Sequence, residues 1–171
     1  SIRILEEGAP LGRVPDWIAW DLEERRFRPD PQHGSLGSYD AIRAYLWPAL
    51  LPKGSLLRDR LLAASRGLLH AYRTTGTVAE TFDTLSMKAG KGNAPPGFVG
   101  ITRLRARDAG DEALEQVLAQ RLADAEMEGL YGAPPAYYDQ NLLLFAQGHL
   151  EGRYAFAVDG RLLPRWETSC R

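Results

Sequence analysis

Five stretches of this chain carry apolar residues at helical spacing, and each is closed off by proline or glycine, which restricts the fold to short helices joined by substantial loops. The first runs from Tyr39 to Leu51, with Ile42, Tyr45, Leu46, Ala49 and Leu50 on one face, Pro48 loosening its interior and Pro52 with Gly54 stopping it. Ser55 is then placed to cap a long helix reaching about Tyr72, where Leu57, Leu61, Ala64, Leu68 and Tyr72 form a stripe that Leu62 and Leu69 widen. Phe98, Ile101 and Leu104 predict a short helix ending around Gly110. Leu114, Val117, Leu118 and Leu122 predict another, with Asp111 and Glu112 at its N-terminal end. Tyr137 to Gln147 is the last, with Tyr138, Leu142 and Phe145 facing inward. Residues 2 to 7 read as the end of a helix closed by Gly8, so the fold class is all-α dominated.

Strand signals are confined to the connections. Asp16 to Asp21 alternates, and Arg25 to Arg28 can return as its hairpin partner, with Trp17 and Trp20 read as capping a core. Thr77 to Asp83 is strand-like and Leu85 to Lys88 can pair with it. Arg153 to Phe156 and Arg161 to Leu163, around Asp159-Gly160, predict a terminal hairpin. The loop from Ala89 to Gly97 lacks the GxxxxGK[ST] pattern of a phosphate loop and is read as bordering a cleft. Arg103, Arg105 and Arg107 fan around a helix axis and are read as solvated. His70 has no partner at metal-ligand spacing and is read as a surface or core-edge histidine.

Chemistry concentrates where a glycine-punctuated loop, Ser35 to Ser38, runs into the first of these helices. Ser38 reads as the N-cap, which puts Asp40 in the first turn against the positive end of the helix dipole. Arg43 follows three residues later on the same face, so its guanidinium can hold the Asp40 carboxylate ionised in one rotamer, as a general base requires. The same spacing also describes an ordinary surface ion pair. Tyr39, Tyr45 and Trp47 distinguish the setting, because flat aromatic faces beside a carboxylate suit a sugar-binding cleft.

Composition narrows the remaining classes. The chain has 171 residues, 44% hydrophobic and 25% charged, enough for one domain or a large part of one. A formal net charge of -1 offers no attraction to nucleic acid or an anionic membrane, and a neutral polymer fits better. The single cysteine, Cys170, forms no internal disulfide, and no apolar run reaches the roughly 20 residues of a membrane helix.

Gly37-Ser38-Tyr39-Asp40-Ala41-Ile42-Arg43, followed by Tyr45-Leu46-Trp47, resembles the signature of glycoside hydrolase family 8, most closely the endo-1,4-β-glucanases encoded with bacterial cellulose synthase. Pro15-Asp16-Trp17, Gly92 to Phe98, Tyr137-Tyr138-Asp139-Gln140 with Leu144 to Gly148, and Gly160 to Trp166 near Cys170 extend the resemblance along nearly the whole chain. It implies that residues 1–171 are the C-terminal half of a single catalytic domain, about half of an (α/α)6 toroid with small β-hairpins in its loops. Such a half, by itself, would expose large apolar patches and associate either with the missing N-terminal half or with a second copy.

For function, the resemblance implies inverting hydrolysis of β-1,4-glucan, with no cofactor or metal, in the periplasm or outside the cell, and a functional link to cellulose synthase. Asp40 matches the general base, Arg43 the residue that orients it and Tyr39 a position beside the water and sugar. Tyr137, Tyr138 and Trp47 match substrate-binding positions. The family's glutamate acid has no counterpart in this chain, and neither Glu80 nor Glu112 lies in its context. Family members acting on chitosan, xylan or mixed-linkage glucan, and a non-catalytic helical glucan-binding module, are the alternatives.

Overall fold

The computed structural model describes residues 2–86, 88–90 and 92–165; Lys91, Trp166 and Cys170, which belong to segments discussed above, lie outside the described residues. The chain divides into two compact units, Ser1–Tyr45 with Asp59–Ala94, and Leu46–Arg58 with Pro95–Arg171.

In the first unit, helix α1 (Ile2–Gly8) ends at a buried glycine, where a Cβ would lie 2.5 Å from the Ile18 side chain. The predicted hairpin forms from β1 (Ile18–Asp21) and β2 (Arg26–Pro29), paired antiparallel from Ile18↔Pro29 to Asp21↔Arg26. Asp21 closes its turn by accepting the N–H groups of Glu23 and Glu24, both at 2.9 Å, and pairs with Arg28 at 2.9 Å. The tryptophans of this hairpin do not cap a core: Trp17 is 53% and Trp20 38% exposed. Trp17 stacks on His33, and Trp20 packs edge-on against Phe27 beneath the Arg3 guanidinium.

Strand β3 (Leu36–Gly37) leads into helix α2 (Ile42–Leu50), which runs from this unit into the next and carries Pro48 inside it. The single long helix expected from Ser55 to about Tyr72 is instead two, α3 (Arg58–Ala64) and α4 (Gly67–Thr75). The break has a steric cause. Gly67 passes so close to the Gly12–Arg13 segment that a Cβ would meet the Gly12 carbonyl oxygen at 2.6 Å, and the buried Ser65 turns its hydroxyl back onto the Leu61 carbonyl at 2.8 Å. Gly76, at φ 71°, closes α4. His70 is on the surface, as expected.

The strand-like segment after α4 pairs differently from expectation. Strand β4 (Phe82–Asp83) joins β3 through Leu36↔Asp83 and Gly37↔Phe82. On its other side only the end of the expected partner takes part, the Asp83 N–H bonding the Lys88 carbonyl at 2.9 Å, and the pairing continues farther along through the single bridges Phe82↔Ala89 and Ala79↔Asn93. Gly37 is required at this crossing, since a Cβ there would sit 2.5 Å from the Val14 carbonyl oxygen and 2.7 Å from the Phe82 ring. Asp83 anchors it by accepting from the Ser35 hydroxyl at 2.5 Å and from the N–H groups of Ser86 and Leu85 at 2.6 and 3.1 Å.

The second unit is built on α5 (Pro96–Asp108), α6 (Glu112–Asp124) and α7 (Tyr137–Leu150), with α5 packed against both others. Helix α5 is longer than its short apolar stripe suggests. Asp111 caps α6 by accepting from the Leu114 N–H at 3.3 Å. Leu114, Leu118 and Leu122 are buried as expected, but Val117 is 56% exposed. The inward face of α7 is Asp139, Leu142, Leu143 and Ala146 rather than Tyr138, Leu142 and Phe145. Gly97 and Gly100 on α5 set this rotation, because Cβ atoms there would lie 2.7 Å from Asp139 Oδ1 and 2.5 Å from the Leu143 side chain. Nor are the three arginines of α5 all solvated: Arg105 is buried, and Arg103 and Arg107 converge on Glu115 at 2.7 and 3.2 Å.

Between α6 and α7 lies a hairpin absent from the sequence reading, β5 (Glu126–Met127) with β6 (Leu130–Tyr131), turning at Glu128 and Gly129 with positive φ at both. The predicted terminal hairpin forms from β7 (Tyr154–Phe156) and β8 (Leu162–Pro164). Tyr154 donates its hydroxyl to the Phe145 carbonyl at 2.7 Å, and burial pushes that phenol up to about 12. Helices with small antiparallel strand pairs in their connections are the content expected of half an (α/α)6 toroid carrying β-hairpins.

Two measurements test this account of the first unit, with Gly54 of the second unit as a control. Gly37→Ala is expected to cost about 1–3 kcal/mol in urea unfolding, because its neighbours are backbone and a ring rather than a flexible chain end. Gly54→Ala, whose nearest neighbour is Val158 at 3.8 Å, should stay within about 0.5 kcal/mol of wild type. The hydrogen bond from Ser35, with those from Ser86 and Leu85, holds the Asp83 carboxyl down from 3.8 to about 2. A depressed carboxyl contributes stability above its unfolded pKa and loses it as pH falls through the folded one. Stability is therefore expected to decline as pH drops from about 4 to about 2. In Asp83→Asn the curve should be lower at pH 7 and flatter across that window.

Candidate active site

The Asp40 turn is built from backbone outward. Helix α2 begins at Ile42, so Asp40 stands in the turn just before the helix rather than in its first helical turn. The Ile42 N–H bonds the Ser38 carbonyl at 3.0 Å, so the chain is already coiling there. Ser38 does not cap the helix with its side chain as expected; its hydroxyl is turned to Asp16 Oδ2 at 2.5 Å. The capping group is Asp16 itself. Its Oδ1 accepts the N–H groups of Ser38, Asp40 and Ala41 at 2.8, 3.1 and 2.7 Å, taking donors that a helix start leaves without intrahelical partners. The Asp16 N–H in turn bonds the Leu36 carbonyl at 2.8 Å.

On this fixed turn the Asp40 carboxylate is half exposed and pairs with Arg43 Nη2 at 2.5 Å, as the three-residue spacing predicts. Tyr39, 41% exposed, donates its hydroxyl to Glu80 Oε1 at 2.5 Å. Tyr45 is not part of an aromatic face toward solvent: it is fully buried and its hydroxyl accepts the Val14 N–H at 2.8 Å. Asp40, Arg43, Tyr39, Asp16 and Glu80 thus assemble in the first unit.

Trp47, Tyr137 and Tyr138 lie in the second unit. Trp47 is 47% exposed, packs edge-on against Phe145 with ring centroids 5.4 Å apart, and borders an apolar cavity of about 260 Å³ with Leu50, Leu51, Pro52 and Phe156. Tyr137 opens α7 and is 85% exposed, while Tyr138 is half-buried. Their motif neighbours do structural work. The Gln140 side-chain amide bonds both the N–H and the carbonyl of Tyr131, Gln147 reaches the Tyr131 hydroxyl, and buried Asp139 accepts the Gly97 N–H at the start of α5 at 3.2 Å.

Asp16 and Glu80 are the residues that sequence reasoning left without a role. Asp16 belongs to Pro15-Asp16-Trp17 and opens the alternating segment to Asp21, and a cap supplied from 24 residues upstream leaves no local spacing to find. Among the described residues, no group of three or more His, Cys, Asp or Glu side chains is placed to hold a metal ion, and no helix is long and apolar enough to cross a membrane.

No family model matches the chain. It is 42% identical over 168 residues to an endoglucanase of Xanthomonas axonopodis pv. citri (strain 306), covering 98% of this chain and 42% of that protein. It is 32% identical over 170 residues to the endoglucanase of Salmonella typhi, covering 99% of this chain and 43% of that one. Among solved structures it is similar to the endo-1,4-D-glucanase from Vibrio fischeri ES114, with a TM-score of 0.76 at 29% identity over 97% of this chain and 46% of that chain. Over nearly its whole length this chain is therefore a homologue of the endoglucanases, in agreement with the resemblance its motifs carry, and it spans about two fifths of their length.

Proposed function

We propose that this chain supplies the general-base side of an inverting endo-1,4-β-glucanase. The observation that carries the reading is the Asp40 carboxylate, half exposed, oriented by Arg43 and seated on a turn whose backbone is pinned by Asp16, in a chain similar throughout to endoglucanases. Its substrate is a β-1,4-linked glucan; the names of the relatives favour this over chitosan, xylan or mixed-linkage glucan.

In the proposed reaction Asp40 takes a proton from a water molecule, which attacks the anomeric carbon as the glycosidic C–O bond breaks on the opposite face. A carboxylic acid on that face protonates the departing oxygen, and inversion needs the two carboxyls roughly 6.5–9.5 Å apart to admit the water. Arg43 orients the Asp40 carboxylate through their ion pair, and Tyr39 lies beside the attack point. Tyr137, Tyr138 and Trp47 supply aromatic surface to the sugar chain.

The general acid belongs to the remainder of the catalytic domain, of which residues 1–171 are the C-terminal half. That remainder is the partner of this chain; exposed apolar side chains such as Leu56, at 95%, and Leu144, at 66%, are surface it can cover. Alone, the chain lacks the acid and is incomplete and inactive. A periplasmic or secreted location and a functional link to cellulose synthase follow from the same resemblance.

In the complete domain, Asp40→Asn is expected to lower reducing-sugar release from carboxymethylcellulose by about 10²–10⁴-fold, the range a positioned base contributes, with folding and oligosaccharide binding retained. Proton NMR of the first product should show the α-anomer. Near wild-type activity in Asp40→Asn returns Asp40 and Arg43 to a surface ion pair, and a β-anomeric first product rejects inversion.

A further inference from the structure

The hydrogen bond between Tyr39 and Glu80 gives the base site a direction that its motif alone does not carry. A phenol has one O–H to donate, and Tyr39 donates its proton to Glu80 Oε1 at 2.5 Å. With that proton committed, Tyr39 Oη meets other groups as an acceptor. The acceptor role matters one residue from the proposed base. An attacking water presents two protons, one for Asp40 and one that must be directed elsewhere, and a neighbouring hydroxyl that tried to donate would compete for the water lone pair that attacks carbon.

Glu80 is held for this contact by its own surroundings. Residues 78 to 81 lie against Gly90, Asn93 and Ala94 through the Ala79↔Asn93 bridge, the Ala94 N–H to Val78 carbonyl bond at 3.2 Å and the Gly90 N–H to Thr81 carbonyl bond at 2.7 Å. Val78 is buried beneath them. Two glycines permit the approach: a Cβ on Gly90 would sit 1.8 Å from Thr81 Oγ1, and one on Gly92, at φ 108°, would sit 3.1 Å from Glu80 Oε2.

We infer that Glu80 is a positioning residue for hydrolysis, acting through Tyr39: by accepting the phenol proton it fixes Tyr39 as the hydrogen-bond acceptor that orients the water activated by Asp40. The inference rests on the assignment of Asp40 as base. It makes Glu80 a partner of the base side rather than a candidate general acid, and it gives the Gly90 and Gly92 loop a role at the site without contact to sugar.

The test is a double-mutant cycle in the complete catalytic domain, with kcat and KM measured separately on a soluble cello-oligosaccharide and unfolding temperature as the folding control. Glu80→Ala is expected to lower kcat tenfold or more while KM moves less than about threefold. Glu80→Gln, whose amide carbonyl still accepts from the phenol, should restore most of that loss. In a Tyr39→Phe background, Glu80→Ala should cost nothing further. An unchanged kcat in Glu80→Ala, an equal loss in both backgrounds, or Gln no better than Ala overturns the inference. The failures are separable: activity surviving Asp40→Asn removes the base assignment, additive losses with Asp40→Asn inactive remove only Glu80, and a wild-type domain without hydrolysis removes both.

Discussion

The interaction on which the first unit depends is the carboxylate of Asp16 against the amides that open α2. A helix start presents N–H groups with no partner inside the helix, and here no local side chain takes them, because the Ser38 hydroxyl is itself a donor to Asp16. One remote carboxylate therefore satisfies a set of donors that would otherwise face water or stay unpaired. Each such cap contributes about 1 kcal/mol, and a charged acceptor strengthens it. The larger effect is topological. Asp16 precedes the β1–β2 hairpin and Ser38 follows it, so the bond also closes the loop that holds the hairpin, and the Asp16 N–H to Leu36 carbonyl bond closes it a second time.

The second unit solves the same problem with the same chemistry. Helix α5 starts after Pro95, and its Gly97 N–H is taken by Asp139, a buried carboxylate on α7. Gly97 makes this possible, since a side chain there would occupy the space of the Asp139 oxygen. Capping and helix packing are then one contact: the carboxylate that satisfies α5 also fixes the rotation of α7. This explains why Asp139 faces inward while Phe145, apolar, is left half exposed against Trp47. A polar group with a waiting donor is retained in the interior where an apolar ring is not.

Much of this architecture was legible in the chain. The helices were found from apolar period, and the two predicted hairpins from alternation and turn residues, because both signals are local. What escaped was set by contacts distant in sequence. The break at Ser65–Arg66 exists because Gly67 meets Gly12, not because α3 or α4 lacks helical pattern. Arg105 reads as one more solvated arginine until α5 is packed on both sides. Trp17 and Trp20 look like core by composition, yet a two-stranded hairpin has one face to bury and they find His33, Phe27 and Arg3 at its surface. At the site, the Asp40–Arg43 pair was predictable from a three-residue spacing. Asp16 and Glu80, which lie 24 residues before Asp40 and 41 after Tyr39, were not.

This division bears on how the site can work. An ion pair between half-exposed groups such as Asp40 and Arg43 adds at most about 1 kcal/mol to stability and by itself restrains little. The rigidity of a half-exposed carboxylate of this kind has to come from elsewhere. Here it comes from the main chain: Asp16 holds the amides of Ser38, Asp40 and Ala41, and Glu80 holds the preceding tyrosine by its hydroxyl. Only the last bonds of the Asp40 side chain are left to Arg43. A half-exposed carboxylate can then stand out from the surface and keep its direction, because the parts that fix it lie in the backbone behind it.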